Sequence, residues 1–288
     1  MQTPIKNGHE IRIRRACDHI EKNLDGDLSL ETLSGVAALS KYHFHRVFSA
    51  HTGMSVTRFV QLFRLRRASL RLAFQDDARV TDVAFDAGFE SPEAFSRAFK
   101  RTFEQTPSQF KRSPEWGLWS SKFAFTVPQG DTPMDIKIVD FPETRIALVE
   151  HRGPHQRVYD TAQKFIAWRK ETGLSPVKSS ATYGIAYHDP NTTPPEDFRF
   201  DICGDVDRDV PENAYGVKAG KIPGGRCAVI RHFGSHDTID QSAYAIYRDW
   251  LPSSGEECRD FPCFFHYLNL ASEVDECDLV TDVYVPLK

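Results

Sequence analysis

No run of about 18 apolar residues occurs in this chain of 288 residues, which excludes a membrane-spanning helix. The opening stretch MQTPIKNGHEIRIRR lacks the apolar core that a signal peptide needs, so a cytoplasmic location is expected. Cysteine is scarce. The six residues, at positions 17, 203, 227, 258, 263 and 277, form no CxxC pair and read as reduced structural thiols. His232 and His236 have the spacing of a zinc pair on one helix, but Gly234 between them breaks such a helix. A phosphate-cradling glycine loop, paired carboxylates and a Ser-His-Asp set are also missing. Neither cofactor, metal nor catalytic group is expected, and the chain does not read as an enzyme.

The net charge of −4 is small but unevenly spread. Residues 1–120 hold 18 Lys and Arg against 14 Asp and Glu, and the remainder holds 18 against 26. A basic half joined to an acidic half is the asymmetry of a chain in which one half meets phosphate. Arg64, Arg66, Arg67 and Arg71 make the densest basic cluster, with Arg66 expected to grip a nucleic-acid backbone.

What the first 112 residues do contain, twice, is a helix-turn-helix pattern. LETLSGVAALSKYHFHRVFSAHTGMSVT begins at Leu30 and VTDVAFDAGFESPEAFSRAFKRTFEQTPSQFKR at Val80. A shift of 51 residues lays Ser40 on Ser91, Phe44 on Phe95, Arg46 on Arg97, Phe48 on Phe99 and Phe59 on Phe110. Phenylalanines four apart share a helical face and bury together, and the serines are N-cap candidates. Ala38-Leu39 and Gly88-Phe89 supply the small residue and apolar plug of each turn. Between the two units, SVTRFVQLFRLRRASLRLAF carries a helical stripe of Phe59, Leu62, Phe63, Leu65, Leu70 and Phe74. Such a rod, roughly 30 Å long, can hold two recognition helices about one DNA turn apart. Ile11, Ile13, Ala16, Ile20 and Leu24 suggest an amphipathic opening helix.

The string GFESPEAFSRAFKRTFEQTPSQFKRSPEW, with SKYHFHRVF before it, resembles the signature of AraC/XylS transcription regulators, in particular their Rob-like branch. The resemblance covers about residues 9–116 and implies an all-α domain that binds double-stranded promoter DNA as a monomer, commonly activating by touching RNA polymerase. Carried over position by position, it puts Tyr42, His45 and Arg46 at the bases in the first unit, and Pro92, Glu93 and Arg97 in the second. Arginine can bond bidentately to guanine, whereas proline cannot donate and glutamate only accepts. Sequence reading is therefore expected to lean on the first helix.

Residues 117–133 read as a linker, with Trp116, Trp119, Phe123 and Phe125 giving it some packing of its own. Beyond it RIALVEHRG (145–153) matches RCAVIRHFG (226–234), each alternating like a strand, ending in Gly and followed by a helical stretch that closes at Trp168 or Trp250. Tyr183–Tyr187 and Cys263–Tyr267 are the next matching pair of strands. Strand, strand, helix, strand and strand, twice over, predicts a pseudo-twofold α+β domain with a groove lined by both halves. The expected chain is thus multidomain, an all-α double helix-turn-helix followed by an α+β domain.

IPGGRCAVIRHFG, WLPSSG, DFPCFFHYLN and TDVYVPLK make residues 134–288 resemble GyrI-like small-molecule-binding domains. The resemblance implies an unknown small-molecule effector. Where that family usually carries a pocket glutamate, this chain has Phe265, so a preference for organic cations is not expected unless Glu150 supplies the carboxylate. Trp168, Tyr183, Tyr187, Trp250, Phe265 and Tyr267 are the candidate ligand contacts, suited to a flat or apolar molecule. Two alternatives to an effector-controlled regulator are a GyrI-like hydrolase carried by a DNA-binding module and an acidic domain that docks a basic protein.

Overall fold

The computed structural model describes residues 8–123 and 135–288, in two units: 8–123 with Ala271–Cys277, and 135–270 with Asp278–Lys288. The first unit is helical: α1 (Gly8–Lys22), α2 (Leu30–Val36), α3 (Lys41–Thr52), α4 (Val56–Phe74), α5 (Val80–Asp86), α6 (Pro92–Phe103), α7 (Pro107–Arg112) and α8 (Trp116–Ser121). Hydroxyls start most of these helices. Ser29, Ser40, Ser55, Ser91 and Thr106 each accept from the backbone N–H three residues on, a cap worth about 1 kcal/mol. The repeated phenylalanines Phe44, Phe48, Phe59, Phe95, Phe99 and Phe110 are all fully buried. Each turn needs one left-handed residue, Gly88 (φ 75°) in the second unit and Ala38 (φ 50°) in the first, where a side chain makes it costlier.

Two expectations change here. Ile13, Ala16, Cys17 and Ile20 form the buried face of α1 while Ile11 is exposed, because residues two apart do not share a helical face. The segment after Trp116, expected to be linker, begins with α8. Its Trp116 and Trp119 are buried in the first unit, and Trp119 donates from Nε1 to Ser69 Oγ at 2.6 Å. Phe125 lies outside the described residues.

The second unit is an eight-stranded antiparallel sheet built from β1 (Lys137–Phe141), β2 (Thr144–Arg152), β3 (Thr182–Ala186), β4 (Arg199–Asp205), β5 (Lys218–Ile222), β6 (Gly225–Phe233), β7 (Cys263–Tyr267) and β8 (Val280–Pro286). Each of the last four strands starts 81 residues after its mate (218 − 137, 225 − 144, 263 − 182, 280 − 199). The order β1-β6-β8-β7-β3-β4-β2-β5 exchanges the outer strands: β1 pairs with β6 and β5 with β2, each on the other half. At the centre β3 meets β7 with Gly184 opposite Phe265, two residues that are themselves mates. Helix α9 (Val158–Thr172) packs over β2 and β4, and α10 (Ile239–Tyr244) over β6 and β8. The central strands lie between the two helices. On the helix side the core gathers Val149, Phe165, Trp168, Phe200, Ile230, Ile246, Phe265 and Val283; on the other face Phe141, Ile146, Tyr183, Ile185, Cys203 and Phe264 pack together.

One hydrogen-bond motif occurs in both halves. His151 Nδ1 meets Thr161 Oγ1 at 2.8 Å and its Nε2 meets the Pro154 carbonyl at 3.1 Å; His232 meets Ser242 Oγ at 2.9 Å and the Ser235 carbonyl at 3.0 Å. A carbonyl can only accept, so Nε2 carries the proton in both rings and each hydroxyl donates to Nδ1. Burial holds both histidines below their ordinary value of 6.5. The unfolded chain takes up protons near 6.5 where the folded rings do not, so stability falls as the pH drops below that value. Urea unfolding followed from pH 7.5 to 5 should show this loss, and His151→Gln with His232→Gln should lessen it, leaving the part due to His155 and His266, which burial also holds below 6.5.

Candidate nucleic-acid interface and small-molecule groove

On α3 the buried positions Phe44, Phe48 and Thr52 leave the opposite face to solvent, with Tyr42 88 % exposed and His45 and Arg46 exposed beside it. On α6 the buried Phe95, Ala98, Phe99 and Thr102 leave Glu93 and Arg97 exposed, with Pro92 half-buried in the first turn. Steps of three and four residues extend each face to side chains that sequence reasoning passed over: Ser49 on α3, Ser96 and Lys100 on α6. The signal was available, since Ser49 and Lys100 are mates in the 51-residue repeat that placed Arg46 on Arg97. Lys100 and Arg101 add two exposed cations to Arg97 on the second helix.

The clustered arginines of α4, Arg64, Arg66, Arg67 and Arg71, make contacts within the unit. Arg66 is 4 % exposed and donates from Nε and Nη2 to the two carboxylate oxygens of Glu276, both at 2.6 Å. Its guanidinium lies 4.8 Å from the Trp119 ring centre and 4.5 Å from that of Phe123. Arg67 pairs with Asp25 and Asp275, Arg71 with Asp86, and Arg64 donates to the Leu24 carbonyl. The whole cluster therefore braces α4 against the loop after α1, against α5 and against Ala271–Cys277. The expectation that Arg66 contacts DNA is corrected: a guanidinium enclosed by an ion pair and two aromatic rings has no face left for phosphate. Beside it, burial and then the Glu276 and Asp18 carboxylates push Glu21 up to about 7.

The six aromatic ligand candidates do not line one groove. Because side chains alternate along a strand, Phe265 and Tyr267 point to the helix side with Trp168 and Trp250, whereas Tyr183 and Tyr187 point to the opposite face. There Tyr183 stacks on His266 at 4.8 Å and Tyr187 lies 3.9 Å beneath the Arg199 guanidinium. Trp168 is fully buried against Phe165, and among the described residues its indole N–H meets no acceptor. Between the helices the floor is Gly184, Phe200, Phe265 and Tyr267, packed so closely that a Cβ on Gly184 would fall 2.4 Å from Phe200 and 2.6 Å from the Tyr267 hydroxyl. Phe200 and Phe265 are stacked at 6.0 Å.

Glu150 cannot supply a carboxylate here. It sits between Val149 and His151, whose side chains face the helices, so its own points away. It is ringed by Arg152 at 3.4 Å, Arg199 at 3.5 Å and Lys218 at 3.7 Å. The thiols are unsuited to nucleophilic work, since burial pushes Cys263 up to about 12 and raises Cys258 and Cys203. Among the described residues no three His, Cys, Asp or Glu side chains gather as a metal site.

Comparison with known proteins agrees with this division. Residues 134–288 match the family model of the GyrI-like small molecule binding domain, and residues 33–113 match a helix-turn-helix domain. Over 154 residues the chain is 53 % identical to the probable transcriptional regulator YgiV of Escherichia coli K12, covering 54 % of this chain and 96 % of that protein. Over 127 residues it is 34 % identical to the right origin-binding protein of the same organism, covering 40 % of this chain and 43 % of that one. A solved EcmrR–DNA complex superposes with a TM-score of 0.46 at 13 % identity, covering 90 % of this chain and 98 % of that one.

Arg66→Ala would leave Glu276 and Glu21 facing each other without their shared cation. Breaking such a buried pair costs about 3–5 kcal/mol. Chemical unfolding should show that loss, while the salt dependence of DNA binding by the folded fraction should stay as it was.

Proposed function

Because the chain belongs to the GyrI-like small-molecule-binding family and carries an AraC-type helix-turn-helix domain, it is a transcription regulator, and we propose that a single copy reads an asymmetric promoter site under control of a flat effector. The observation that carries the first part is that two capped recognition helices with exposed polar faces occur in one chain, leaving no need for a dimer to supply the second. Tyr42, His45 and Arg46 on α3 read bases. On α6, Arg97 and Lys100 hold the backbone while Glu93 weakens base reading by repelling phosphate. Effector binding between α9 and α10 alters recruitment of RNA polymerase, with activation the expected sense. The second unit acts as a binding module and not as a catalyst, in keeping with its protonated thiols and the outward-facing, compensated Glu150.

Arg46→Ala should cost about 1–3 kcal/mol of binding and relax preference at one base position. Footprinting of genomic fragments, followed by titration of scrambled half-sites, tests this directly. Equal losses from scrambling either half-site would overturn the assignment of reading to α3. Sedimentation on a duplex of roughly 20 base pairs should give one protein per DNA.

The effector is neutral or anionic. A buried cation costs several kcal/mol to desolvate unless a carboxylate meets it, and where the resemblance to GyrI-like domains implies one this chain has Phe265. Aromatic faces return only about 0.5–2 kcal/mol. A quaternary ammonium dye should therefore shift the melting temperature of the intact chain less than a neutral or anionic analogue of the same ring system. A larger shift from the dye refutes this preference.

A further inference from the structure

The two halves of the second unit match at one constant offset except in a single place. Strands, the short turns His155–Arg157 and His236–Thr238, and the helix starts Val158 and Ile239 all lie 81 residues apart (239 − 158). So do the buried core residues Phe165 and Ile246 (246 − 165). The left-handed glycines that close the helices, Gly173 and Gly255, are 82 apart (255 − 173), as are Trp168 and Trp250. One extra residue has therefore entered the second helix after Ile246 and before Trp250. The chain after Gly255 is one residue shorter and restores the offset at β7.

The structure shows how the addition is absorbed. The first helix, α9, is α-helical throughout, but the second runs from α10 into a π-helical stretch, Ala245–Trp250, and ends in α11 (Leu251–Ser254). A turn closed by an i→i+5 bond holds one residue more than an α turn, and such turns recur at functional sites. The flank before it is fixed, and Leu251 after it packs against the same core. Ser242 is bonded to His232, the Tyr244 hydroxyl donates to Asp189 at 2.5 Å, and Ala245 and Ile246 are buried. The added length emerges as the exposed Tyr247, Arg248 and Asp249. Trp250 does not close down as its mate does: Trp168 is fully buried on Phe165, whereas Trp250 packs against the same core half-buried.

We propose that the inserted residue makes the second helix the ligand-selecting wall of the groove, with Trp250 as the ring that meets a flat neutral or anionic aromatic ligand. The inference rests on the effector reading above and adds which half does the selecting. A strictly twofold groove would present two equivalent walls. Here Trp168 is fully buried, while Trp250, packed against the same helix-side core as Phe265 and Tyr267, stays partly exposed. The cost of a π turn is retained where it keeps that surface available.

The test uses the intact chain and 1-anilinonaphthalene-8-sulfonate, a flat anionic fluorophore. Deletion of Arg248, an exposed residue, lets the helix close as α. It should lower dye affinity at least tenfold while leaving the melting temperature unchanged or higher. Trp250→Ala should lower affinity similarly, and it decides the matter if the deletion fails to fold. Phe265→Leu, on the groove floor, separates the two levels of the argument. Binding that Phe265→Leu weakens but neither of the other changes affects would overturn the role of the inserted turn and leave the groove reading standing. Binding that none of the three affects, or no binding by the unmodified chain, would count against the groove itself and carry the inference down with it.

Discussion

A half-sheet of four strands with one helix leaves an edge unpaired and an apolar face partly open, and the second unit follows from that constraint. Pairing of Thr182–Ala186 with Cys263–Tyr267 joins the inner edges, and exchange of the outer strands β1 and β5 locks each half to the other. Everything functional in that unit inherits the arrangement. The helices come to lie on one face because each packs on its own half, so the middle of the sheet is left between them. What fills the middle is decided by one pair of mates: glycine at 184 gives the space that Phe200 and Tyr267 occupy, and phenylalanine at 265 takes the space opposite.

The first unit solves a different problem, holding two small helical bundles at a set spacing. Apolar burial does this within each bundle. Across the long helix α4, guanidinium groups do it. Four arginines reach from α4 to Asp25, Leu24, Asp86, Asp275 and Glu276, using charge where another unit would use a larger core. Buried ion pairs contribute little net stability over apolar packing, yet each is costly to break. Spacing of the two bundles is thereby tied to charges paired inside the unit. The excess of basic residues in this half is correspondingly a poor guide to which of them touch DNA.

Much of the fold was legible because it depends on local rules. Serine caps, phenylalanines four apart and the turn residues Ala38 and Gly88 placed both helix-turn-helix units, and strand alternation with a terminal Gly placed the second repeat. The exposed faces of α3 and α6 were legible for the same reason, since 3.6-residue periodicity fixes them once the buried face is known. Ile11 and the helical start of the supposed linker were misjudged where the pattern was short. A single apolar residue does not declare its face, and tryptophans alone do not distinguish a tether from a docked helix.

Sequence by itself determined the number of repeats, the type and order of their elements, and which helix faces carry polar side chains, all of which follow from spacing along the chain. Only the tertiary structure decided that Arg66 lies in a buried pair with Glu276, 210 residues away, because no local pattern encodes which carboxylate folds back onto a helix. It also divided the aromatics, sending Tyr183 and Tyr187 to one face and Phe265 and Tyr267 to the other. Strand alternation sets the division, but which face receives the helices depends on packing between distant segments. The one-residue insertion was present in the sequence as an unequal spacing of Trp168 and Trp250. Whether it would loop out, shift the helix end or coil as a π turn depended on both helix ends being held by the same sheet.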